Sequence, residues 1–293
     1  MKEYDKYELV RGAVDLHIHG GPDVFPRAAD TAVMAAEAAK VGMRAIVVKN
    51  HLVGTARECC ALSRIVPGIE IYGGVVLNRA VGGINPRAVR AALEMGGKIV
   101  WMPTVDGGGH VEAFGATGTF GKKGYSLKDA GAPPLSILEG GRLSADAEEV
   151  LRIVGEYGAA VGTAHLRKEE IFALVERAKS LGVKVLITHP EFKVPNFGFD
   201  ELAPLVGNGV YAEICAVNIF PPALTTVEKQ AELIKSLGPE NCVIASDAGI
   251  PWGPMPHDML SFFAQQLAMR DGITAEDLRR MMIENPTRIL NLA

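Results

Sequence analysis

Long apolar runs are missing from this chain. No stretch approaches the roughly 18 consecutive apolar residues of a transmembrane span. The opening Met1-Lys2-Glu3-Tyr4-Asp5-Lys6 has no apolar signal-peptide segment, which predicts a cytoplasmic protein. An excess of positive charge is missing too. Against 34 Asp and Glu stand 30 Lys and Arg, for a formal net charge of -4, so the electrostatic footprint of nucleic-acid or anionic-membrane binding is lacking. Cysteine is scarce. The four, Cys59, Cys60, Cys215 and Cys242, lack the paired spacing of a zinc knuckle, and adjacent Cys59-Cys60 suits a helix interior, so reduced thiols are expected. No linker rich in Pro, Gly and Ser divides the chain, and no Gly-x-Gly-x-x-Gly follows the first strand. Gly20-Gly21-Pro22 stands there instead, which argues against a doubly wound, dinucleotide-binding sheet.

What is present is ample core material, 48% hydrophobic residues over 293 positions, arranged in a repeating beat. In Val14-Asp15-Leu16-His17-Ile18-His19-Gly20-Gly21 apolar and polar residues alternate. This period of two puts Asp15, His17 and His19 on one face of a strand and Val14, Leu16 and Ile18 on the other. Helix signals follow from Asp30 to Lys40, then the β-branched run Ala45–Val48, of the kind buried on both faces in parallel sheets. The beat predicts helices over 56–65, 86–95, 145–157, 168–180, 199–205, 226–237, 259–269 and 275–292. It predicts strands over 69–77, 98–102, 160–164, 184–188, 210–214 and 242–246. About eight strand-then-helix units in one chain of this length predict a single (β/α)₈ TIM barrel. Between Val105 and Ser144, after strand four, the rhythm breaks into a glycine-rich connection holding His110, Lys122, Lys123 and a hairpin near 137–143. Its length suggests a lid on the barrel mouth, the alternative being a surface excursion used for subunit contact.

In such a barrel the strand C-termini meet at one mouth, where active sites are built. The polar residues ending these strands are His17 and His19 on the first, Lys49 and His51 on the second, His165 on the fifth, His189 on the sixth and Asp247 on the eighth. Of seven histidines only His110 and His257 lie off a strand end, both in loops expected on the same face. Neutral imidazoles plus a carboxylate suit zinc first, with manganese, iron(II) or nickel as alternatives. The lack of cysteine at these positions speaks for an open coordination position rather than a closed structural site. A water there would be acidified towards a pKa of about 7.

Asp-Leu-His-Ile-His, Ala-His165, Thr-His189-Pro, Ser-Asp247 and the closing Glu-Asn285-Pro286-Thr287-Arg288-Ile289-Leu290 resemble the metal-dependent amidohydrolase superfamily, in that family's order and across nearly the whole barrel. The resemblance implies that His17, His19, His165 and Asp247 ligate the metal, with His189 a ligand or a catalytic partner. Many binuclear relatives carry a bridging carboxylated lysine or a glutamate at the end of strand four. Here that strand ends Val100-Trp101-Met102-Pro103-Thr104, which favours one ion, although Lys49 or Glu213 are candidate substitutes away from the family's position.

Three functions compete. The first is hydrolysis of an amide, lactone or ester of a small molecule, with Asp247 as general base and His189 stabilising the oxyanion. The second is decarboxylation or hydration of a carboxylated substrate held by Lys49, His51, Arg79 or His110, Lys49 being otherwise a rim lysine. The third is a catalytically silent binding barrel. No pattern decides between a monomer and a homo-oligomer.

Overall fold

The computed structural model describes residues 4–120, 126–128 and 130–293. Lys122 and Lys123 of the glycine-rich connection therefore lie outside the described residues. Strands β1 (Val14–Ile18), β2 (Ala45–Val48) and β3 (Glu70–Tyr72) pair in parallel, in that order. Strands β4 (Gly74–Val76), β5 (Ile99–Trp101), β8 (Ala160–Gly162), β9 (Lys184–Thr188), β10 (Val210–Cys215) and β11 (Cys242–Ala245) form a second parallel ladder. Only Gly73 separates β3 from β4, so the two ladders share one stave. At the other junction Asp247 N donates to His17 O at 2.8 Å and His19 N to Ala248 O at 2.7 Å. These contacts join the last strand to the first, and eight parallel staves close into the (β/α)₈ ring that the alternating beat predicts.

The interior fits around one large side chain. Trp101 is fully buried. A Cβ on Gly162 would lie 2.4 Å from its Cδ1, and one on Gly74 3.0 Å from its Cζ3, so two neighbouring staves are bare of side chains where the indole sits. Outside the ring run α1 (Thr31–Lys40), α2 (Ala56–Leu62), α3 (Pro86–Glu94), α5 (Ala145–Glu156), α6 (Lys168–Ser180), α8 (Val227–Leu237) and α9 (Pro256–Ala268). Local chemistry starts several of them: the Asn85, Ser144 and Thr226 side chains accept from the first-turn amides of α3, α5 and α8. Among the described residues no helix is long and apolar enough to cross a membrane.

Several expectations need correction. Helix α2 stops at Leu62, short of Ile65, and α7 is one turn, Phe199–Leu202, instead of reaching Leu205. Helix α9 starts at Pro256, so His257 is helical and not in a loop. The C-terminal stretch is α10 (Ala275–Arg279), a π-turn over Arg280–Glu284 and α11 (Asn285–Ile289), not one continuous helix.

The connection after β5 is more ordered than its glycines suggest. It contains an unforeseen helix, α4 (Gly108–Phe114), and the expected hairpin of β6 (Leu138–Glu139) and β7 (Arg142–Leu143). Ser136 Oγ and Ile137 N both donate to Glu170 Oε1, tying the hairpin to the start of α6.

Candidate metal centre

The alternation in β1 delivers what it predicts. His17 Nε2 and His19 Nε2 lie 3.2 Å apart at the mouth of the barrel. Asp247, immediately after β11, brings Oδ1 to 3.0 Å from the first and 3.2 Å from the second. Three donor atoms at about 3 Å from one another, two nitrogens and one oxygen, match the edges of a coordination shell whose ligands stand about 2.1 Å from a divalent ion. The residues thus fit a metal ion on the chemistry and spacing of their donors.

Three of the strand ends that supply this cluster bend sharply. Among the described residues only six non-glycines have positive φ, and three are Asn, which tolerates it. The other three are Ala164 at 49°, next to His165, His189 at 31° and Asp247 at 51°. A left-handed residue costs roughly 1–2 kcal/mol for an ordinary side chain, a cost that falls mainly on Ala164, since Asp and His, like Asn, enter this region more readily. Glycine makes the same turn possible elsewhere: Gly249 has φ of 131°, and a Cβ there would meet His19 O at 2.0 Å.

The imidazoles form a continuous cluster. His17 and His189 stack with centroids 6.4 Å apart, His189 and His165 lie at 5.3 Å, and His51 stacks on His19 at 4.8 Å. Burial, which disfavours the charged form, holds them neutral. It pulls His17 down to about 3 and His189 to about 4, and puts His19, His51 and His165 well below the ordinary imidazole value. Neutral imidazoles are the ligand form.

Neighbours set which nitrogen faces the centre. Behind His17, Glu213 on β10 places Oε2 at 3.4 Å from Nδ1, which favours the proton on that nitrogen and leaves Nε2 bare. Beyond His165, His110 Nε2 stands 2.6 Å from the carbonyl oxygen of Thr119, an acceptor only, so the Nε2–H of His110 must donate. His110 Nδ1 is then bare and accepts from His165 Nδ1–H at 2.9 Å, which leaves His165 Nε2 free as a ligand. Burial pushes Glu213 and Asp15 up to about 7, and Asp15 Oδ1 accepts from the amides of His17 and Ser246.

His110 thus reaches the cluster, as its place on the connection predicts, and the sequence held an unread reason. A Cβ on Gly107 would meet His165 O at 2.8 Å, and one on Gly109 would meet Leu166 O at 2.6 Å. The glycines let α4 lie against the backbone of the fifth stave.

Other expected residues separate. Lys49 is no rim lysine: it is buried, with Nζ 3.2 Å from His17 Nε2 and 5.5 Å from the Trp101 ring centroid. His51 reaches the cluster, its Nδ1 2.8 Å from Thr104 Oγ1. Arg79 does not point at the centre; its guanidinium contacts the Pro133 carbonyl, and Asp106 accepts from its amide. His257 packs on Tyr7, centroids 5.8 Å apart, and pairs with Asp258, Nε2 to Oδ2 at 3.5 Å, at the start of α9. A cysteine does stand near the centre after all. Cys215 lies with Glu213 and His17 in a second group of donors, within 4.8 Å of one another and fully buried. At the end of β5, where a bridging ligand would come, Trp101 faces His17 at 6.3 Å between centroids.

Residues 12–213 match the family described as "Family of unknown function (DUF6282)". No curated protein matches the sequence. Among solved structures, an amidohydrolase from Pseudomonas aeruginosa superposes with a TM-score of 0.65 at 13% identity, covering 98% of each chain. A 2,6-dihydroxybenzoate decarboxylase from Rhizobium gives 0.53 at 12% identity, over 96% of this chain and 99% of that one. An N-acetyl-D-glucosamine-6-phosphate deacetylase from Mycobacterium smegmatis gives 0.58 at 14% identity, over 97% and 78%. The chain shares the fold of these enzymes.

Proposed function

The chain belongs to the DUF6282 family, whose description assigns no activity, and from the geometry of its own centre we propose a metal-dependent hydrolase acting on an amide, lactone or ester of a small molecule. The observation that carries this reading is the convergence of His17 Nε2, His19 Nε2 and Asp247 Oδ1 at the barrel mouth. These three residues, with His165 beside them, would hold one divalent ion, zinc in the first place, leaving His189 as a catalytic partner. Trp101 at the end of β5 speaks for one ion over two.

When bound, the ion supplies a positive charge that polarises a carbonyl and lowers the pKa of a water towards about 7. Asp247, part exposed to the mouth, takes the proton of the attacking water and returns it to the leaving group. Neutral His189 directs an N–H at the developing oxyanion. Glu213 and His110 keep His17 and His165 turned with Nε2 forward. The test compares metal-depleted protein with protein reloaded with zinc or manganese on a panel of esters, lactones and amides. Equal rates would remove the hydrolase reading.

A second reading, decarboxylation of a carboxylated substrate on the same centre, is favoured by one observation. Lys49 is buried with its Nζ 3.2 Å from His17 Nε2, and a carboxylate brought there would restore the charge that burial disfavours. Carbon dioxide release without net hydrolysis distinguishes the two.

A further inference from the structure

Four phenylalanines form an unbroken arc over one side of the centre. Phe25, in the loop after β1, meets Phe120 edge-on at 5.7 Å between centroids, Phe120 meets Phe114 at 5.4 Å, and Phe114 meets Phe192 at 6.1 Å. Each ring also touches a histidine of the cluster. Phe25 lies 5.5 Å from His51, Phe120 5.3 Å and Phe114 4.6 Å from His110, and Phe192 4.8 Å from His189. The arc runs from the loop after β1 to the loop after β9. It gives the centre an apolar, aromatic wall along this side.

At the β1 end of the arc stands a cation. Arg27 places its guanidinium carbon 5.8 Å from the Phe25 ring centroid, and its side chain is only 9% exposed. Asp23 engages it through a single oxygen: Oδ2 accepts from Nε at 2.7 Å and lies 2.6 Å from Nη2, while Nη2 itself is buried without an aligned hydrogen-bond acceptor. Both contacts fall on one oxygen of Asp23, so the guanidinium is held by a single carboxylate oxygen, and Nη2, although paired in charge, lacks an aligned acceptor. A buried guanidinium with open donors is a costly arrangement unless an anion completes it. It is joined to the centre through packed rings, since the Phe25 ring beside it meets His51 at 5.5 Å and His51 stacks on His19 at 4.8 Å.

We infer that the substrate is an aryl-bearing acid, its ring laid along Phe25, Phe120 and Phe114 and its carboxylate bound by Arg27, with the scissile group turned towards Asp247. The inference rests on the functional reading above for the last clause alone. Arg27 acts as a binding residue, distinct from Lys49, which lies deeper against Trp101, and from Arg79, which holds the connection after β5.

The test uses zinc-loaded protein and three probes: phenylacetate, acetate, which lacks the ring, and 2-phenylethanol, which lacks the charge. Titration calorimetry should find phenylacetate bound at least about tenfold more tightly than either fragment. Arg27→Met should abolish the preference over 2-phenylethanol while zinc content stays unchanged, and Phe120→Ala should shrink the preference over acetate. Because Arg27→Met strands the carboxylate of Asp23, the double variant Asp23→Asn with Arg27→Met is measured beside it and should behave alike. Phenylacetate binding that survives both Arg27 variants, that is no tighter than acetate, or that is absent from the parent overturns the inference. Zinc content of the parent reads the functional proposal separately. Protein that takes up no zinc yet binds phenylacetate through Arg27 removes that proposal and keeps this one, whereas zinc-loaded protein indifferent to Arg27 does the reverse.

Discussion

The rings of His110 and His165 lie parallel within 2°, their Nδ1 atoms 2.9 Å apart, and only one of those two nitrogens can carry the proton between them. The Thr119 carbonyl decides which, by claiming the Nε2–H of His110. His110→Phe keeps the stacked shape but removes the acceptor, so His165 Nδ1–H is left buried without a partner. Metal affinity is expected to fall about 10- to 100-fold, the usual loss when a partner behind a metal-binding histidine is removed. Competition with a chelator measures it, and unchanged affinity would show that His110 does not orient His165.

Gly109→Ala tests the same contact from the backbone. The new Cβ meets carbonyl oxygens of Leu166 and His165 under 3.0 Å, where neither can yield. A loss of about 1–3 kcal/mol in unfolding free energy is expected, with α4 pushed away from the fifth stave. Denaturant unfolding reads the first effect and chelator competition the second.

Glu213 stands behind His17 as His110 stands behind His165. Glu213→Gln keeps the shape but offers no negative charge to the Nδ1–H at 3.4 Å. Metal affinity is expected to drop by at least about tenfold with the fold retained. Equal metal content in parent and variant under limiting zinc would assign Glu213 to the core instead.

Replacing His17 and His19 together with alanine should abolish metal uptake and leave the barrel folded, because the surrounding staves carry a large apolar core of their own. Elemental analysis and far-ultraviolet circular dichroism check the two halves. Loss of both signals together would make the site structural.

The pH dependence of the metal-free protein follows from the buried histidines. His17, His110 and His189 are held at about 3, 4 and 4, and His19, His51 and His165 well below their ordinary value. Between about pH 6.5 and 4 the unfolded chain binds protons at these groups and the folded chain does not, so stability falls as pH falls through that window. Asp15, Glu191 and Glu213, raised to about 7, act oppositely, since the folded state holds their protons longer; they are three groups against seven histidines, His257 being lowered by burial as well. The melting temperature should therefore decline from pH 6.5 to 5 in metal-free protein. A flat or rising profile would mean that water reaches the cluster and restores ordinary titration.

The linear order of residues by itself determined the barrel's alternating beat and which polar residues stand at the ends of its strands. Period-two alternation in Val14–Ile18 and continuous β-branched runs such as Ala45–Val48 state which faces are buried, and polar residues at the ends of such runs have only the mouth to occupy. That logic is local and needs no knowledge of neighbours. Only the tertiary structure decided the rest, because it depends on which staves and loops come side by side. It put Arg79 against the connection after β5 and Arg27 against Phe25, which packs on His51, though nothing in their local sequence distinguishes the two. It seated Trp101 in the barrel between Gly74 and Gly162, residues drawn from separate staves. It made a helix of Gly108–Phe114, where poor intrinsic propensity is overridden because three glycines permit a backbone approach that no side chain would allow.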